Sequence, residues 1–204
     1  MNTIDILKAA NHWRDDTMHT PWGPSQHAKT LMDGIIQVDT ASHGGIKLDR
    51  SKNAQVPDYM RRKGGWYEED CDWCIPALLW PEAFSFPTPE EAHDNALHTF
   101  KTWMPDEAER YLGIVLQPGE SHVKDERAWK LAHANDYLVL AGYGSWHDKV
   151  PHGFVGVFAG RGGRTPSGAY PADTAYFLVP ESEYTQPGRF VIDPSRHQTV
   201  QPFD

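Results

Sequence analysis

The spacing of hydrophobic residues changes along the chain, from a helical period in the middle to a strand-like period towards the C-terminal end. Thr88, Pro89 and Glu91 supply an N-cap, a proline at the first helical position and a capping-box acid, which together mark the start of a helix. The apolar face that follows consists of Ala92, Ala96, Phe100 and Trp103. We therefore predict an amphipathic helix that begins after Thr88 and ends before Pro105.

The same criteria predict further helices in the first two thirds of the chain. They cover residues 3–14, residues 53–62, a segment that begins near Glu68, residues 105–112 and residues 121–135. Pro76 would break the segment after Glu68 into two short pieces. The buried stripe of that segment would be Cys71, Cys74, Ile75 and Leu78. The inward-facing residues of the last helix would be Ala128, Leu131 and Ala132.

Alternation of polar and apolar residues predicts an early hairpin and a later group of strands. The hairpin pairs residues 35–38 with residues 46–48 and places His43 at or near its tip. The later strands cover residues 137–143, 154–159, 174–179 and 190–192. We predict an α+β fold, in which the helices of the first two thirds pack on one face of a mostly antiparallel sheet formed by the early hairpin and the C-terminal third.

The length and the absence of targeting signals predict the general class of protein. The 204 residues fit one globular domain over residues 1–204, with a helical lead-in at 1–20 and a loosely held polar tail at 195–204. The chain has no run of about 18 apolar residues, and its start lacks the features of a signal peptide. Two cysteines do not make a disulfide framework, and we interpret Cys71 and Cys74 as buried thiols. We expect a cytoplasmic protein that does not enter a membrane.

The charge balance bears on possible partners. The net charge of −9, from 19 basic and 28 acidic residues, disfavours direct binding to nucleic acid and is compatible with binding to a basic surface of a partner protein. Tryptophans in turn-rich, polar contexts indicate a binding surface. The expected partner- or ligand-binding residues are Trp22, Gly44, Gly45, Lys47, Trp66, Glu68 and Trp146. The sequence leaves the oligomeric state open.

His43 lies directly before Gly44 and Gly45 and allows two interpretations. In the first, it is a general base or metal ligand at an exposed turn, where the glycines let a ligand approach the backbone. In the second, the glycines supply positive φ angles to an ordinary turn, and His43 is hydrogen-bonded locally.

Three consecutive acids, Glu68, Glu69 and Asp70, follow the second Gly–Gly pair. They could supply one or two oxygens to a divalent cation, or a carboxylate for acid–base chemistry. Adjacent residues on a helix diverge by about 100°, so at most two of the three could face one ion. The alternative is a helix N-terminus stabilised by acids.

One functional hypothesis is a metal-assisted or acid–base hydrolase with His43 as base or ligand and His147 as a helper. Its carboxylate would be Glu69 or Asp70. Like the other hypotheses, it predicts that the two Gly–Gly pairs and the loop after Gly144 meet at one end of the sheet. A divalent metal is expected only under this hypothesis, and otherwise no cofactor is expected.

Five motifs, several of them long enough to be specific, allow comparison with known families. They are WGP (22–24), SHGGIKLDR (42–50), GGWYEEDCDW (64–73), SHVKDERAW (121–129) and SWHDKVPHGFVGVFA (145–159). This pattern resembles an uncharacterised domain family of bacterial, phage and plasmid proteins, over most of the chain from Pro21 to Asp193. The resemblance implies a mobile-element context and no established chemistry.

The leading hypothesis is a phage- or plasmid-borne accessory protein that binds a macromolecular partner in the host cytosol. In that context, an anti-defence inhibitor of the anti-restriction or anti-CRISPR type is one role, and its partner would be a host nucleic-acid-binding complex. A structural or packaging component is a third hypothesis, beside the binding protein and the hydrolase.

Overall fold

The structure, a computed structural model, describes residues 13–14, 17–84 and 88–203. Contacts between Cα atoms group the chain into two compact units, residues 1–124 and residues 125–204. Two compact units can belong to one domain, so the single domain over residues 1–204 stays a prediction. Among the described residues, no helix combines the length and the apolar character needed to cross a membrane.

The first unit contains a five-stranded antiparallel sheet and a separate two-stranded hairpin. The strands are β1 (Trp13–Arg14), β2 (His19–Thr20), β3 (Gly23–Pro24), β4 (His27–Met32), β5 (Ile35–Asp39), β6 (Gly44–Leu48) and β7 (Trp66–Glu68). The order in the sheet is β1-β4-β5-β6-β7, and β2 pairs with β3. The predicted hairpin is confirmed as β5 and β6, with His43 immediately before β6.

Five α-helices lie in the described part of the chain. They are α1 (Arg50–Gln55), α2 (Cys74–Leu79), α3 (Pro89–Trp103), α4 (Pro105–Leu112) and α5 (His122–Ala132). The predicted start of α3 is confirmed, because the hydroxyl of Thr88 accepts a hydrogen bond from the N–H of Glu91 at 3.2 Å. Gly113, in the left-handed region with a φ of 67°, ends α4 as predicted.

The core of the first unit lies between the five-stranded sheet and the helices α2 to α4. Its largest fully buried side chains include Ile35, Leu48, Tyr67, Ile75 and Phe100. The hydroxyl of Tyr67 donates a hydrogen bond to Oδ1 of Asn53 at 2.8 Å, so its polar end is satisfied inside the core. This packing fixes β6 and β7 side by side, and with them the residues discussed below.

The second unit is built around another five-stranded antiparallel sheet, with the order β11-β8-β9-β10-β12. Its strands are β8 (Tyr137–Tyr143), β9 (Phe154–Arg161), β10 (Thr174–Pro180), β11 (Val191–Ile192) and β12 (Gln198–Val200). The four predicted C-terminal strands are therefore confirmed. The prediction of a loosely held polar tail at 195–204 is wrong. Strand β12 pairs with β10, and the side chains of His197 and Phe203 are buried.

The α+β class is confirmed, but the early hairpin and the C-terminal strands belong to separate sheets. The reason lies in the edges of the hairpin. Strand β5 pairs with β4 on its outer side, and β6 pairs with β7 on its outer side. No edge of the hairpin is left for a C-terminal strand.

Several predicted helix boundaries are wrong. The helix over residues 53–62 lies earlier, as α1, because the carboxylate of Asp49 caps it by accepting a hydrogen bond from the N–H of Lys52 at 2.7 Å. No helix begins near Glu68, which ends strand β7. Helix α2 begins at Cys74 and accommodates Pro76 in its first turn. Backbone N–H groups of the first turn have no acceptor within the helix, so the proline costs no helical hydrogen bond there.

The predicted helix at 3–14 lies mostly outside the described residues, and its last two residues, Trp13 and Arg14, form strand β1. The predicted inward face of α5 is wrong: Ala128, Leu131 and Ala132 are exposed, and the side chain of Leu131 has 79% of its surface accessible. A weakly amphipathic helix gives no strong sequence signal for its buried side.

Candidate functional site

The turn between β5 and β6 holds the backbone of His43 and leaves its side chain accessible. The hydroxyl of Thr40 donates to the carbonyl oxygen of His43 at 2.7 Å and accepts from the N–H of His43 at 3.1 Å. The N–H of Thr40 donates to the same carbonyl oxygen at 2.7 Å. Half of the surface of the His43 side chain is exposed. The imidazole is therefore presented from a fixed backbone.

Glu68 faces His43 from the neighbouring strand, because Gly45 of β6 pairs with Glu68 of β7. One carboxylate oxygen of Glu68, Oε2, accepts a hydrogen bond from the N–H of Asp70 at 2.7 Å. The other, Oε1, is buried and has no hydrogen-bond partner among the residues that the structure describes. It lies 3.7 Å from Nδ1 of His43, beyond hydrogen-bonding distance. The carboxylate is thus oriented with one unsatisfied oxygen towards the imidazole.

Glu69 completes a cluster of three residues that could hold a metal ion. One ligand atom from each of His43, Glu68 and Glu69 lies within 4.8 Å of the others. A cation about 2.1 Å from each ligand would bring the atoms to about 3–3.6 Å from one another, so the side chains would close by about 1 Å. We refer to these three residues as the His–Glu cluster.

Gly44 and Gly45 make room for side chains and do not adopt positive φ angles, so the explanation that this Gly–Gly pair supplies positive φ angles to the turn is wrong. A Cβ atom on Gly44 would lie 2.5 Å from Oε2 of Glu69 and 3.0 Å from the carbonyl oxygen of Val38. A Cβ atom on Gly45 would lie 2.5 Å from the indole of Trp22. The glycines therefore let Glu69 and Trp22 lie directly against strand β6.

An aromatic groove adjoins the cluster on the side of Glu68. Its lining residues include Pro21, Trp22, Arg62, Lys63, Trp66 and Glu68, and its volume is about 590 Å³. The rings of Trp22 and Trp66 meet edge to face, with centroids 5.8 Å apart. The ammonium group of Lys47 lies 4.7 Å from the centroid of Trp66 and donates a hydrogen bond to the carbonyl oxygen of Gly64. Burial lowers the pKa of Lys47, against an opposing effect of Asp49.

A second groove begins at Glu69, between the sheet and helix α3. A cavity of about 210 Å³ is lined by Asp39 and other residues of β5 and β6, and by Glu69, which follows β7. It shares Gln37, Trp73 and Phe84 with a larger cavity of about 550 Å³. We call the two together the sheet–helix groove.

Residues 15–134 match the model of a protein family described as "Domain of unknown function (DUF7007)". The match covers more than half of the 204 residues and includes the whole His–Glu cluster. The chain belongs to the DUF7007 family. Comparison with curated proteins and with solved structures gives no match. The uncharacterised family expected from the motifs is thereby confirmed.

The DUF7007 match also separates the predicted site residues into two groups. Trp22, Gly44, Gly45, Lys47, Trp66 and Glu68 lie together on β6, β7 and the β2–β3 turn, within the matched region. Asp70 contributes its backbone N–H to Glu68, and its carboxylate is not one of the three convergent ligands. Trp146 and His147 lie in the second unit, outside the matched region.

The surroundings of Trp146 and His147 are aromatic. The ring of His147 contacts those of Tyr143 and Phe203, at centroid distances of 5.6 and 5.8 Å. Nδ1 of His147 accepts a hydrogen bond from the N–H of Lys149 at 3.3 Å. The side chain of Trp146 is 77% exposed. His147 is thus held within the second unit, while Trp146 presents its indole to solvent.

The two thiols of this DUF7007 chain are not arranged for redox chemistry. Cys74 is fully buried, and burial raises its pKa to about 12. Burial, and then the carboxylates of Glu68, Asp70 and Asp72, raise the pKa of the half-buried Cys71. A reactive dithiol needs a lowered thiol pKa. The prediction of a buried thiol is therefore confirmed for Cys74 and is only partly correct for Cys71.

Sequence analysis missed Thr40 and most residues of the sheet–helix groove. Thr40 carries a usable signal, since a hydroxyl residue three positions before a turn residue commonly bonds to the backbone of that turn. Lys29, Trp73 and Phe84 carry none, because they come from separate segments that only the tertiary fold brings together.

Proposed function

We propose that this DUF7007 protein binds a divalent cation through His43, Glu68 and Glu69 and acts as a metal-assisted hydrolase. The observation that carries the proposal is Oε1 of Glu68, which is buried without a hydrogen-bond partner in the described part of the chain and faces a histidine nitrogen beside a second carboxylate. A buried carboxylate oxygen without a donor is unfavourable unless positive charge compensates it. A cation at the His–Glu cluster supplies that charge.

The ligand set and its surroundings favour a catalytic rather than a purely structural cation. Three protein ligands leave coordination positions for water and substrate, as in catalytic zinc sites. A divalent cation there would acidify a bound water and polarise a carbonyl or phosphoryl oxygen. The cluster is exposed on the side of His43 and adjoins two grooves, so a substrate has access to it.

Calorimetric titration with Zn²⁺ and Mn²⁺ tests the cation site. We expect one cation per chain for the wild type, and affinity reduced at least tenfold for Glu68→Gln, since even indirect changes at metal sites cost 10–100-fold. Asp70→Asn is the matched control, because it removes a neighbouring carboxylate outside the cluster. No binding, or equal affinity for the wild type and Glu68→Gln, contradicts the proposal.

Hydrolysis of 4-nitrophenyl acetate and of bis(4-nitrophenyl) phosphate tests the catalytic part. We expect release of 4-nitrophenolate that depends on the cation, stops with a chelator and is lost in Glu68→Gln. If the cation binds but neither ester is hydrolysed in a cation-dependent way, the cation site stands and the hydrolase assignment of these two ester classes fails.

The second candidate function is a phage- or plasmid-borne cytosolic protein that binds a macromolecular partner, as in an anti-defence inhibitor. Its specific support is the 77% exposure of Trp146, together with the acidic balance of the chain. A partner captured from host extract by the wild type and lost with Trp146→Ala supports this function. Equal capture by both proteins, or none, contradicts it.

A further inference from the structure

The sheet–helix groove has a floor of strand residues and a wall formed by helix α3. Lys29 of β4 pairs directly with Gln37 of β5, and both line the groove. Ala92, Asn95 and Thr99 of α3 lie at helical spacing along the opposite wall. The floor and the wall come from regular elements, which place side chains more exactly than loops do.

The two ends of the groove differ in charge. The end next to the cluster carries the carboxylates of Asp39 and Glu69. The part of the groove outside the smaller cavity is lined by Lys29, Asn95 and His98. Within residues 17–84 and 88–203, no carboxylate forms an ion pair with Lys29. Among the other half-buried cations, Arg62 and Lys124 have an ion pair, and Lys47 and Lys52 lie on a tryptophan ring.

The middle of the groove is aromatic and half-buried. Trp73 and Phe84 line both cavities, so any molecule that reaches from one end to the other passes along them. The larger cavity, of about 550 Å³, lies within the size range of small-molecule sites. Leu31 and Ala83 add apolar surface to the same stretch.

We propose that the sheet–helix groove binds an aromatic anion, with the ring beside Trp73 and Phe84 and the anionic group, a carboxylate or a phosphate, at Lys29. This inference names the substrate class of the proposed hydrolase and in that sense rests on it. The bond to be cleaved would lie towards Glu69, at the end of the groove next to the cation. Binding of the aromatic anion itself needs no cation.

Ligand-observed NMR titration with three naphthalene probes tests the inference. The probes are 2-naphthoate, 1-naphthyl phosphate and the neutral 2-naphthalenemethanol. We expect the better of the two anions to bind with a Kd of about 1 mM, as expected for a compound of this size. Lys29→Met should raise the Kd of that anion about tenfold and leave the Kd of the neutral probe unchanged, because only the anion loses a charged hydrogen bond. Preference between the two anions distinguishes carboxylate from phosphate.

Control variants keep this outcome separate from that of the cation site. Glu68→Gln lies outside the groove lining and should leave the Kd of the anions unchanged, even if it abolishes cation binding. Lys130→Met, at an exposed lysine of α5, controls for loss of net charge. If Lys29→Met is unstable, Lys29→Gln replaces it. Absent binding of both anions, or equal Kd values for the wild type and the Lys29 variants, overturns the inference.

Discussion

At the scale of single residues, Glu68 and Glu69 reach the same cluster because they stand at the end of a strand and not on a helix. Strand β7 ends at Glu68, and the chain turns at Glu69, whose N–H still donates to the carbonyl oxygen of Gly44 at 3.2 Å. The turn carries the second carboxylate back over Gly44. The acids singled out in the sequence therefore lie beside His43, but the helical geometry expected for them was wrong.

Because Glu69 lies close to Gly44, adding a methyl group at position 44 should affect both stability and cation binding. Gly44→Ala should lower the free energy of unfolding by about 1–3 kcal/mol, because its Cβ would crowd both the Glu69 carboxylate and the carbonyl oxygen of Val38. It should also weaken cation binding by moving Glu69. Chemical denaturation and calorimetric titration measure the two effects.

Gly188→Ala is the control for Gly44→Ala, since a Cβ atom at Gly188 meets no atom within 4 Å and its φ is not positive. We expect it to change the free energy of unfolding by less than about 0.5 kcal/mol. If Gly44→Ala behaves like Gly188→Ala in both measurements, the glycine is not needed for the approach of Glu69.

Cys74 should make the stability of the protein fall at alkaline pH. Its pKa is raised to about 12 in the folded protein, from an ordinary value near 9, so the unfolded chain releases the thiol proton first. The free energy of unfolding therefore decreases as the pH rises from about 9 towards 12. Because one pKa unit corresponds to about 1.4 kcal/mol, the Cys74 thiol accounts for a loss of about 2 kcal/mol between pH 8.5 and 10.5.

Comparison with Cys74→Ala isolates that contribution, because other groups that titrate above pH 9 are common to both proteins. The variant should be less stable at pH 8.5, where it leaves a small cavity, and the difference should shrink by pH 10.5. Urea unfolding across this pH range is the measurement. Parallel stability profiles for the two proteins would mean that the thiol ionises equally in the folded and unfolded chains.

At the scale of elements, the helices with specific end signals were predicted best. The start of α3 follows from Thr88, Pro89 and Glu91, and the end of α4 follows from Gly113. The segment after Gly64 was misjudged, because a Gly–Gly pair followed by acids fits a helix boundary as well as a turn into a strand. Only the pairing of β7 with β6 decides between them, and that pairing joins residues about 20 positions apart.

The capping bond of α3 should contribute measurably to stability. Thr88→Ala removes the acceptor for the N–H of Glu91 and should lower the free energy of unfolding by about 1 kcal/mol. Thr102→Ala, in the last turn of the same helix, removes a threonine that caps nothing and should stay within about 0.5 kcal/mol of the wild type. Equal effects of the two substitutions in thermal or urea unfolding would argue against the cap.

At the scale of the whole molecule, the α+β class could be predicted from hydrophobic periods, whereas the division into separate sheets could not. The two strands of the hairpin and the four C-terminal strands β8 to β11 were recognisable from their own residues. Sheet membership depends on which edges are free, and β4 and β7, which were not predicted as strands, occupy both edges of the hairpin. The same limit applies to the candidate site. His43 and the acids were visible as motifs, while the groove residues were not.

The net charge of −9 gives a prediction for the whole chain. At pH 7.5 and 50 mM salt, the protein at about 10 µM should not shift a 30-base-pair DNA duplex in a gel, because an acidic chain repels the phosphate backbone. A shift that disappears at 200 mM salt would reveal a local basic surface strong enough to outweigh the overall charge.

The central claim is the cation site, and an anomalous diffraction experiment tests it most directly. Crystals grown or soaked with MnCl₂, for the wild type and for Glu68→Gln, would locate Mn²⁺ independently of any assay of activity. We predict a wild-type peak at coordination distance, about 2.2 Å, from a ring nitrogen of His43 and from carboxylate oxygens of Glu68 and Glu69, and its loss in the variant. A wild-type map without a peak between these three side chains, at saturating Mn²⁺, would contradict the claim.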